Sequence, residues 1–336
     1  MSNIAIAGMG PAGAYLASLL GEKAEVYEMQ QEETFTSVCA WGTGSYGMND
    51  LLKEVGININ DYILFSGKRL YLEFGGKTLR FWLDGLATFD KPRLMKDLTK
   101  GLKVHYGKRV YSGYLETRYK VAIDATGVYR RLLGPIKNDF LLPTVQYIVK
   151  YIDMPYDDFY ITPFENYGGY LWFFPLGDNK AFVGAGNAVP DHEKRVMDFI
   201  SRTKGEIVQG SRRGKAIRLI PPTMALPHYY MNAVGIGESV GTVFPLVGEG
   251  ILPSMISAKI LYDSGLDYHS YSVKLKKAFE PYDAAYKLIV NKMKRTGGFF
   301  ENLGLMFSTL RYIKGNSRIV GMKVGVSDIF KVLRYF

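Results

Sequence analysis

Apolar and polar positions follow three different spacings along this chain, and the changes between them mark its elements. Ile4-Ala5-Ile6-Ala7 is an unbroken apolar run, the pattern of a strand buried on both faces. Gly8-Met9-Gly10-Pro11-Ala12-Gly13 follows, then an apolar-rich stretch to Leu20 and a second short run, Val26-Tyr27-Glu28. The order is strand, glycine-rich turn, helix, strand. A loop rich in glycine and small residues spans Thr34 to Met48, and a short helix is predicted near Asp50 to Val55. Arg69 to Phe74 and Lys77 to Trp82 alternate with period two around Gly75-Gly76, which predicts a hairpin with a two-residue turn. Pro92 to Leu102 reads as a helix, Lys103 to Tyr106 and Val110 to Tyr114 as short strands, and Val121 to Ile123 as a strand entering Asp124-Ala125-Thr126-Gly127. Strand-like text then runs from Thr144 to Ala188 as Val145 to Tyr151, Tyr170 to Phe174 and Ala181 to Val183, separated by Gly168-Gly169 and Gly177-Asp178-Asn179. His192 to Lys204 has helical spacing, Ala233 to Gly237 is a buried strand, and Gly248-Glu249-Gly250 introduces a helix from Ile251 to Tyr262.

The first thirty residues carry a chemical reading. Gly8 allows a tight turn, Gly10 lets backbone N–H groups approach a pyrophosphate, and Gly13 lets the helix pack close to the strand. The helix N-terminus then points at the negative charge. Glu28 lies 20 positions past Gly8, where a carboxylate accepts hydrogen bonds from a ribose. Together these predict a dinucleotide site. A secretory leader is the alternative for residues 4 to 20, but the basic start is missing and glycines stand where a leader carries leucines. The nucleotide layer recurs in separated pieces with β-rich insertions, so the expected class is α/β: a Rossmann-like domain with an inserted antiparallel β-sheet and a C-terminal helical segment.

At 336 residues the chain is long enough for two integrated domains. Its one cysteine, Cys39, excludes an intramolecular disulfide framework and fits a reducing cytoplasm. None of its four histidines has metal-ligand spacing, so no metal is expected. The net charge of +10 is concentrated late: from Leu266 to Phe336 there are thirteen Lys or Arg against five acids. These alternate with Phe299, Phe300, Leu303, Phe307, Leu310, Ile313, Ile329, Phe330, Leu333 and Phe336 at near-helical spacing. Such helices suit an anionic membrane surface better than nucleic acid; a helical cap with a solvated basic face is the other reading. No charge-free apolar run is long enough to span a bilayer.

Several segments together resemble a known family. Gly8 to Gly13 with Glu28, Asp124-Ala125-Thr126-Gly127, Gly235-Ile236-Gly237-Glu238 and Pro245-Leu246-Val247-Gly248-Glu249-Gly250-Ile251 resemble the FAD-binding signatures of p-hydroxybenzoate hydroxylase-like flavoproteins. Tyr170-Leu171-Trp172-Phe173-Phe174-Pro175, then eight intervening residues and Gly184-Ala185-Gly186, resembles the signature of geranylgeranyl reductases. The likeness covers roughly residues 3 to 262. It implies an FAD domain over 1–60, 86–135 and 229–265, a β-rich prenyl-chain domain over 61–85 and 136–228, and a basic amphipathic region over 266–336. It also implies an FAD-dependent reductase transferring hydride to carbon–carbon double bonds of a geranylgeranyl-type lipid, diphosphate or quinone at the cytoplasmic face, peripheral to a membrane. A flavin monooxygenase of the same superfamily, a non-catalytic flavin-binding protein and a membrane-surface adaptor are the alternatives.

Carried over by resemblance, Gly8, Gly10, Ala12, Gly13, Glu28, Arg93, Val110, Thr126, Gly127, Gly237, Glu238, Gly248, Gly250 and Ile251 would hold FAD. The start of the last helix would face the pyrimidine end of the flavin, where its dipole favours negative charge. Arg93 would reach ribose or phosphate, or be a solvated surface arginine. Tyr170, Trp172 and Phe174 share one strand face and, with Pro175, would line a tunnel for the prenyl chain; plain sheet core is the competing reading. Cys39 would supply a proton or tune the flavin, or be a small buried hydrophobe. The sequence departs from the family at Ala40 for glycine, Tyr167 for proline and Glu238 for aspartate, and its C-terminal portion is short. No second Rossmann site for NADPH is evident, so the electron donor would be a redox protein or a transiently docking NADPH.

Overall fold

The computed structural model describes residues 3–325 apart from Asn166, and Asp328. Strand β1 (Ile4–Ala7), helix α1 (Pro11–Leu20) and β2 (Ala24–Tyr27) form the opening crossover. After a loop come β3 (Gly42–Gly44), α2 (Ser45–Leu52), β4 (Ile63–Ser66), the hairpin β5 (Arg69–Phe74) and β6 (Lys77–Leu83), then β7 (Leu86–Phe89), α3 (Lys91–Leu98), β8 (Lys103–His105) and β9 (Val121–Asp124). The middle of the chain gives β10 (Leu141–Lys150), β11 (Phe159–Pro163), β12 (Gly169–Gly177), β13 (Lys180–Asn187), α4 (His192–Arg202), β14 (Glu206–Ile207) and β15 (Arg213–Arg218). It ends with β16 (Tyr229–Tyr230), β17 (Ala233–Gly235), α5 (Ile251–Asp263), α6 (Tyr268–Phe279), α7 (Tyr282–Lys294), α8 (Phe299–Gly315), α9 (Ser317–Val320) and β18 (Met322–Lys323).

Two sheets position the site. The first has the order β16-β17-β9-β1-β2-β8, parallel except for the edge strand β16. Its central strands are wholly buried, as Ile4 to Ala7 and Ala24 to Tyr27 require. The second runs β14-β10-β13-β12-β11-β5-β6-β18, with β15 also on β10. Here β5 joins β11 in parallel, so segments far apart in sequence share one surface. The β5–β6 turn pairs Phe74 with Lys77, and Gly75 and Gly76 both take positive φ, as a two-residue hairpin demands. A small sheet, β3-β7-β4, links the two; it draws β4 away from the large sheet that holds β5 and β6.

Four local expectations change. The second helix starts at Ser45, not Asp50, because Gly42 to Gly44 pairs with β7 and delivers the chain straight into it. Val110 to Tyr114 is turn rather than strand, with Tyr111 and Tyr114 exposed; without a neighbouring edge to pair with, apolar alternation makes no strand. Phe159 to Pro163 is a strand, although the proline and nearby acids hid it. Met322 and Lys323 pair antiparallel with β6, tying the end of the described chain into the large sheet.

The basic C-terminal region is largely cap. Tyr271, Leu275, Tyr282 and Leu288 of α6 and α7 belong to the same buried core as Ile6, Val26 and Ile123. Phe299 and Phe300, at the start of α8, remain 76% and 84% exposed. Ile329, Phe330, Leu333 and Phe336 lie outside the described residues. Among the described residues no helix is long and apolar enough to cross a membrane.

Candidate functional site

A cleft of about 640 Å³ opens at the carboxyl ends of β1, β9 and β17 and continues onto the face of the large sheet. Its first wall is the glycine turn. The Gly8 N–H donates to the Tyr27 carbonyl, and Gly8 has φ +99°. A Cβ on Gly8 would sit 2.4 Å from the Ala125 carbonyl oxygen, and one on Gly13 only 2.0 Å from that of Gly8. Helix and strand therefore touch backbone to backbone. Gly10 has open space where a Cβ would stand, on the cleft side, and α1 has Pro11 in its first turn, no acid there and no side-chain cap. A diphosphate fits this cradle, since free N–H groups and the helix dipole face the same space.

Glu28 is buried beside the turn. One carboxylate oxygen accepts from Met9 N–H (3.0 Å) and the other from Gln30 N–H (2.9 Å), so it braces the turn while lining the cleft. Asp124 is wholly buried and builds the next loop: Oδ1 accepts from Thr126 N–H and hydroxyl, Oδ2 from Leu132 and Leu133 N–H. That holds Thr126 and Gly127 at the cleft. Val110 also lines it, although from irregular backbone.

On the far side, Gly237 (φ +67°) donates its N–H to Ser257 Oγ, and a Cβ there would lie 2.9 Å from that of Ala12. Glu238, where the family pattern has aspartate, lines the cleft, and its Oε1 accepts from Arg218 N–H at 2.9 Å. The extra methylene is thus taken up by a backbone partner at the end of β15. Arg218, which sequence reasoning missed, is buried, pairs with Asp139 at 2.9 Å and donates to the carbonyls of Gly127, Val128 and Glu238. It ties both loops of the dinucleotide wall together; a lone arginine among Ile217, Leu219 and Ile220 was the available signal.

The Gly248-Glu249-Gly250 elbow differs from expectation. Ile251 and Leu252 N–H both donate to Glu249 Oε1 at 3.0 Å, as does the Thr43 hydroxyl. Ile251 lines the cleft, but its N–H is already taken, so α5 does not offer these two donors to a ligand. Burial pushes the Glu249 carboxyl up to about 7, against the pull of those three donors and of Lys91. Gly248 has φ +65°, and the Tyr170 hydroxyl donates to the neighbouring Val247 carbonyl at 2.6 Å. Burial raises the Tyr170 phenol, so it stays a donor.

The aromatic face comes next. Trp172 packs onto Gly184, where a Cβ would be 2.4 Å from its ring, and Phe174 packs onto Gly42 at 2.7 Å. Tyr170, Trp172 and Phe174 line the cleft with Ile161 and Leu70. Pro175 does not: strand alternation turns it away with Leu171 and Phe173, and its carbonyl accepts from the Thr88 hydroxyl. Cys39 Sγ accepts from Lys91 Nζ at 3.1 Å and from Trp41 N–H at 3.4 Å, and the Cys39 carbonyl accepts from Gln146 Nε2 at 2.9 Å. Lys91 is 5% exposed and lines the cleft. Arg93, two residues on, does not reach it; its guanidinium lies over the Tyr62 ring at 4.9 Å and donates to the Asp61 carbonyl. Two positions of helical phase, roughly 200°, separate them: Lys91 enters from the N-cap residue Asp90, whereas Arg93 faces solvent. Two buried polar atoms in the cleft, Gln146 Oε1 and Trp172 Nε1, have no partner among the described residues. Each leaves one hydrogen-bonding capacity of the cleft wall unmet.

No family model matches the chain. It is 24% identical over 305 residues to digeranylgeranylglycerophospholipid reductase 1 of Methanopyrus kandleri, covering 77% of this chain and 78% of that protein. The fold superposes on a geranylgeranyl bacteriochlorophyll reductase-like protein from Thermoplasma acidophilum with a TM-score of 0.74 at 16% identity, covering 98% of this chain and 95% of the other. A probable FAD-dependent monooxygenase from Pseudomonas aeruginosa has a TM-score of 0.65 at 15% identity, covering 91% and 99%.

Proposed function

We propose, from the premise that this chain is an FAD-dependent oxidoreductase of the geranylgeranyl reductase family, that it saturates carbon–carbon double bonds of a geranylgeranyl-type isoprenoid. One observation supports this above the others: the glycine cradle of Gly8 to Gly13 and the aromatic wall of Tyr170, Trp172 and Phe174 belong to a single continuous cleft. When bound, FAD supplies the hydride that one alkene carbon receives. Gly8, Gly10, Ala12, Gly13, Glu28, Val110, Thr126, Gly127, Gly237, Glu238, Gly248 and Gly250 hold the cofactor in this reading, and Glu238 also fixes the loop through Arg218.

The chain's own residues do the rest. An isolated alkene accepts hydride poorly, so water must be excluded and positive charge favoured at the carbon that receives the hydride. Trp172 and Tyr170 present π faces that stabilise such charge. Cys39 Sγ–H delivers the proton to the other alkene carbon, its S–H bond breaking as the C–H bond forms, and the Lys91 ammonium, 3.1 Å away, restores the proton to sulfur. Phe299 and Phe300, with Lys294 and Arg295 on the adjoining turn, would bring the enzyme to an anionic lipid surface.

The test is anaerobic. Protein reduced with dithionite and mixed with a geranylgeranyl lipid should reoxidise in step with a mass gain of two hydrogens per bond. Reoxidation by oxygen alone would reject the reductase reading in favour of a monooxygenase. Liposome flotation with anionic vesicles should show binding that Phe299→Ser with Phe300→Ser weakens about tenfold; unchanged flotation removes the lipid-surface role.

A further inference from the structure

The face of the large sheet is graded across its strands. Read along one row of directly opposed residues, β15 places Arg213, β10 Gln146, β13 Gly184, β12 Trp172 and β11 Ile161. The next row places Lys215, Thr144, Gly186 and Tyr170. Opposed residues share a face, so each row passes from cation through amide or hydroxyl and bare backbone to aromatic, and in the first case to aliphatic. Four strand spacings separate Arg213 from Ile161, about 19 Å.

Arg213 and Lys215 stand at the cationic rim of the cleft. Among the described residues no carboxylate lies within ion-pair distance of either. One guanidinium nitrogen of Arg213 donates to the Gly210 and Arg212 carbonyls, which fixes its direction and leaves its other donors. Lys215 lies over the Tyr129 ring at 5.4 Å, and Arg131 covers the same ring at 5.1 Å. Gln146, 3% exposed, continues the polar step one strand in from Arg213, with its Oε1 unpartnered. Trp172, two strands further, has its indole N–H unpartnered.

Resting on the prenyl-reductase reading, we propose that this gradient sets the direction of the substrate: an anionic phosphate or diphosphate head is held by Arg213 and Lys215, and the chain lies across the strands toward Ile161 and Leu70. Cys39, joined through its carbonyl to Gln146, lies beside the second strand from the cationic rim. A double bond in the half of the chain nearer the head therefore meets the proton donor first. A chain held the other way round, or a neutral prenyl alcohol without an anchor, would present a different bond.

Binding and regiochemistry test this separately from turnover. Oxidised, FAD-loaded protein is titrated with geranylgeranyl phosphate, geranylgeraniol and inorganic pyrophosphate, read by Trp fluorescence. The phosphate ester should bind about tenfold more tightly than the alcohol, the worth of one charge-assisted contact. Pyrophosphate should compete only at concentrations at least about tenfold higher than the ester, because it lacks the chain. Arg213→Ala with Lys215→Ala should erase the ester's advantage and leave FAD content unchanged. Equal affinity of ester and alcohol in the unmodified protein overturns the proposal. Loss of FAD in the double variant does so too, by assigning the cations to the cofactor. In a single-turnover reduction, mass-spectrometric location of the new CH–CH bond should place it in the head-proximal half; the opposite end overturns the direction. Tight ester binding with no reduction of any prenyl compound would instead reject the reductase chemistry and leave the anchor standing.

Discussion

Two helix starts face the same cleft, and they are completed in different ways. At α1 the glycine turn leaves the first N–H groups uncapped, with open space beyond Gly10. At α5 a similar Gly-Glu-Gly turn folds its own carboxylate back, so Ile251 and Leu252 N–H donate to Glu249 and the end is closed from within. A helix N-terminus is a source of positive potential only while its donors are unclaimed. The first therefore suits a permanent dianion. The second already contains an acid, and because burial holds that acid near 7, its charge depends on pH. One end of the cleft has a fixed potential and the other a variable one.

The largest effect should come from the fixed end. Gly13→Ala places a methyl group 2.0 Å from the Gly8 carbonyl oxygen, a contact that only separation of α1 from β1 relieves. Overpacking of this kind costs about 1–3 kcal/mol or more, and the movement destroys the cradle. The expected outcome is purified protein without flavin absorbance and with a melting temperature several degrees lower. A yellow Gly13→Ala protein of unchanged stability would mean that the backbone contact is not what shapes the turn.

The contrast between the two ends also separates what was legible in the sequence from what was not. Gly8, Gly13, Gly75 and Gly76 are constrained by backbone geometry within a few residues of themselves, and local spacing reveals such constraints. The aromatic positions Tyr170, Trp172 and Phe174 obey the period of a strand, so their shared face was also readable. Lys91, Gln146 and Arg218 were not. Each matters because of a partner 52, 107 or 91 positions away, at Cys39, Cys39 and Gly127, and no local pattern encodes that distance. Arg93 and Lys91 show the limit sharply: both are basic, two residues apart, and only the entry of α3 from its Asp90 cap decides which one meets the cleft.

Glu249→Gln sharpens the variable end and should have a smaller effect. Its carboxyl is raised in the folded state to about 7 from an ordinary 4.5, so between those values the folded chain binds more protons than the unfolded one. Stability then falls as pH rises through that window, by on the order of 3 kcal/mol once both states are ionised. Glutamine keeps an oxygen where Ile251 N–H, Leu252 N–H and the Thr43 hydroxyl donate, so the cap survives while the titration disappears. Thermal melts of the FAD-loaded protein between pH 5 and pH 8 should lose the part of their slope that Glu249 contributes, with the variant gaining on the parent as pH rises. The parent's flavin potential should shift with pH across the same range and the variant's should shift less, because a carboxylate forming at that elbow disfavours added negative charge nearby. Identical pH slopes in both proteins would show that Glu249 keeps one charge state across this range, and the two helix starts would then differ in architecture but not in how they respond to protons.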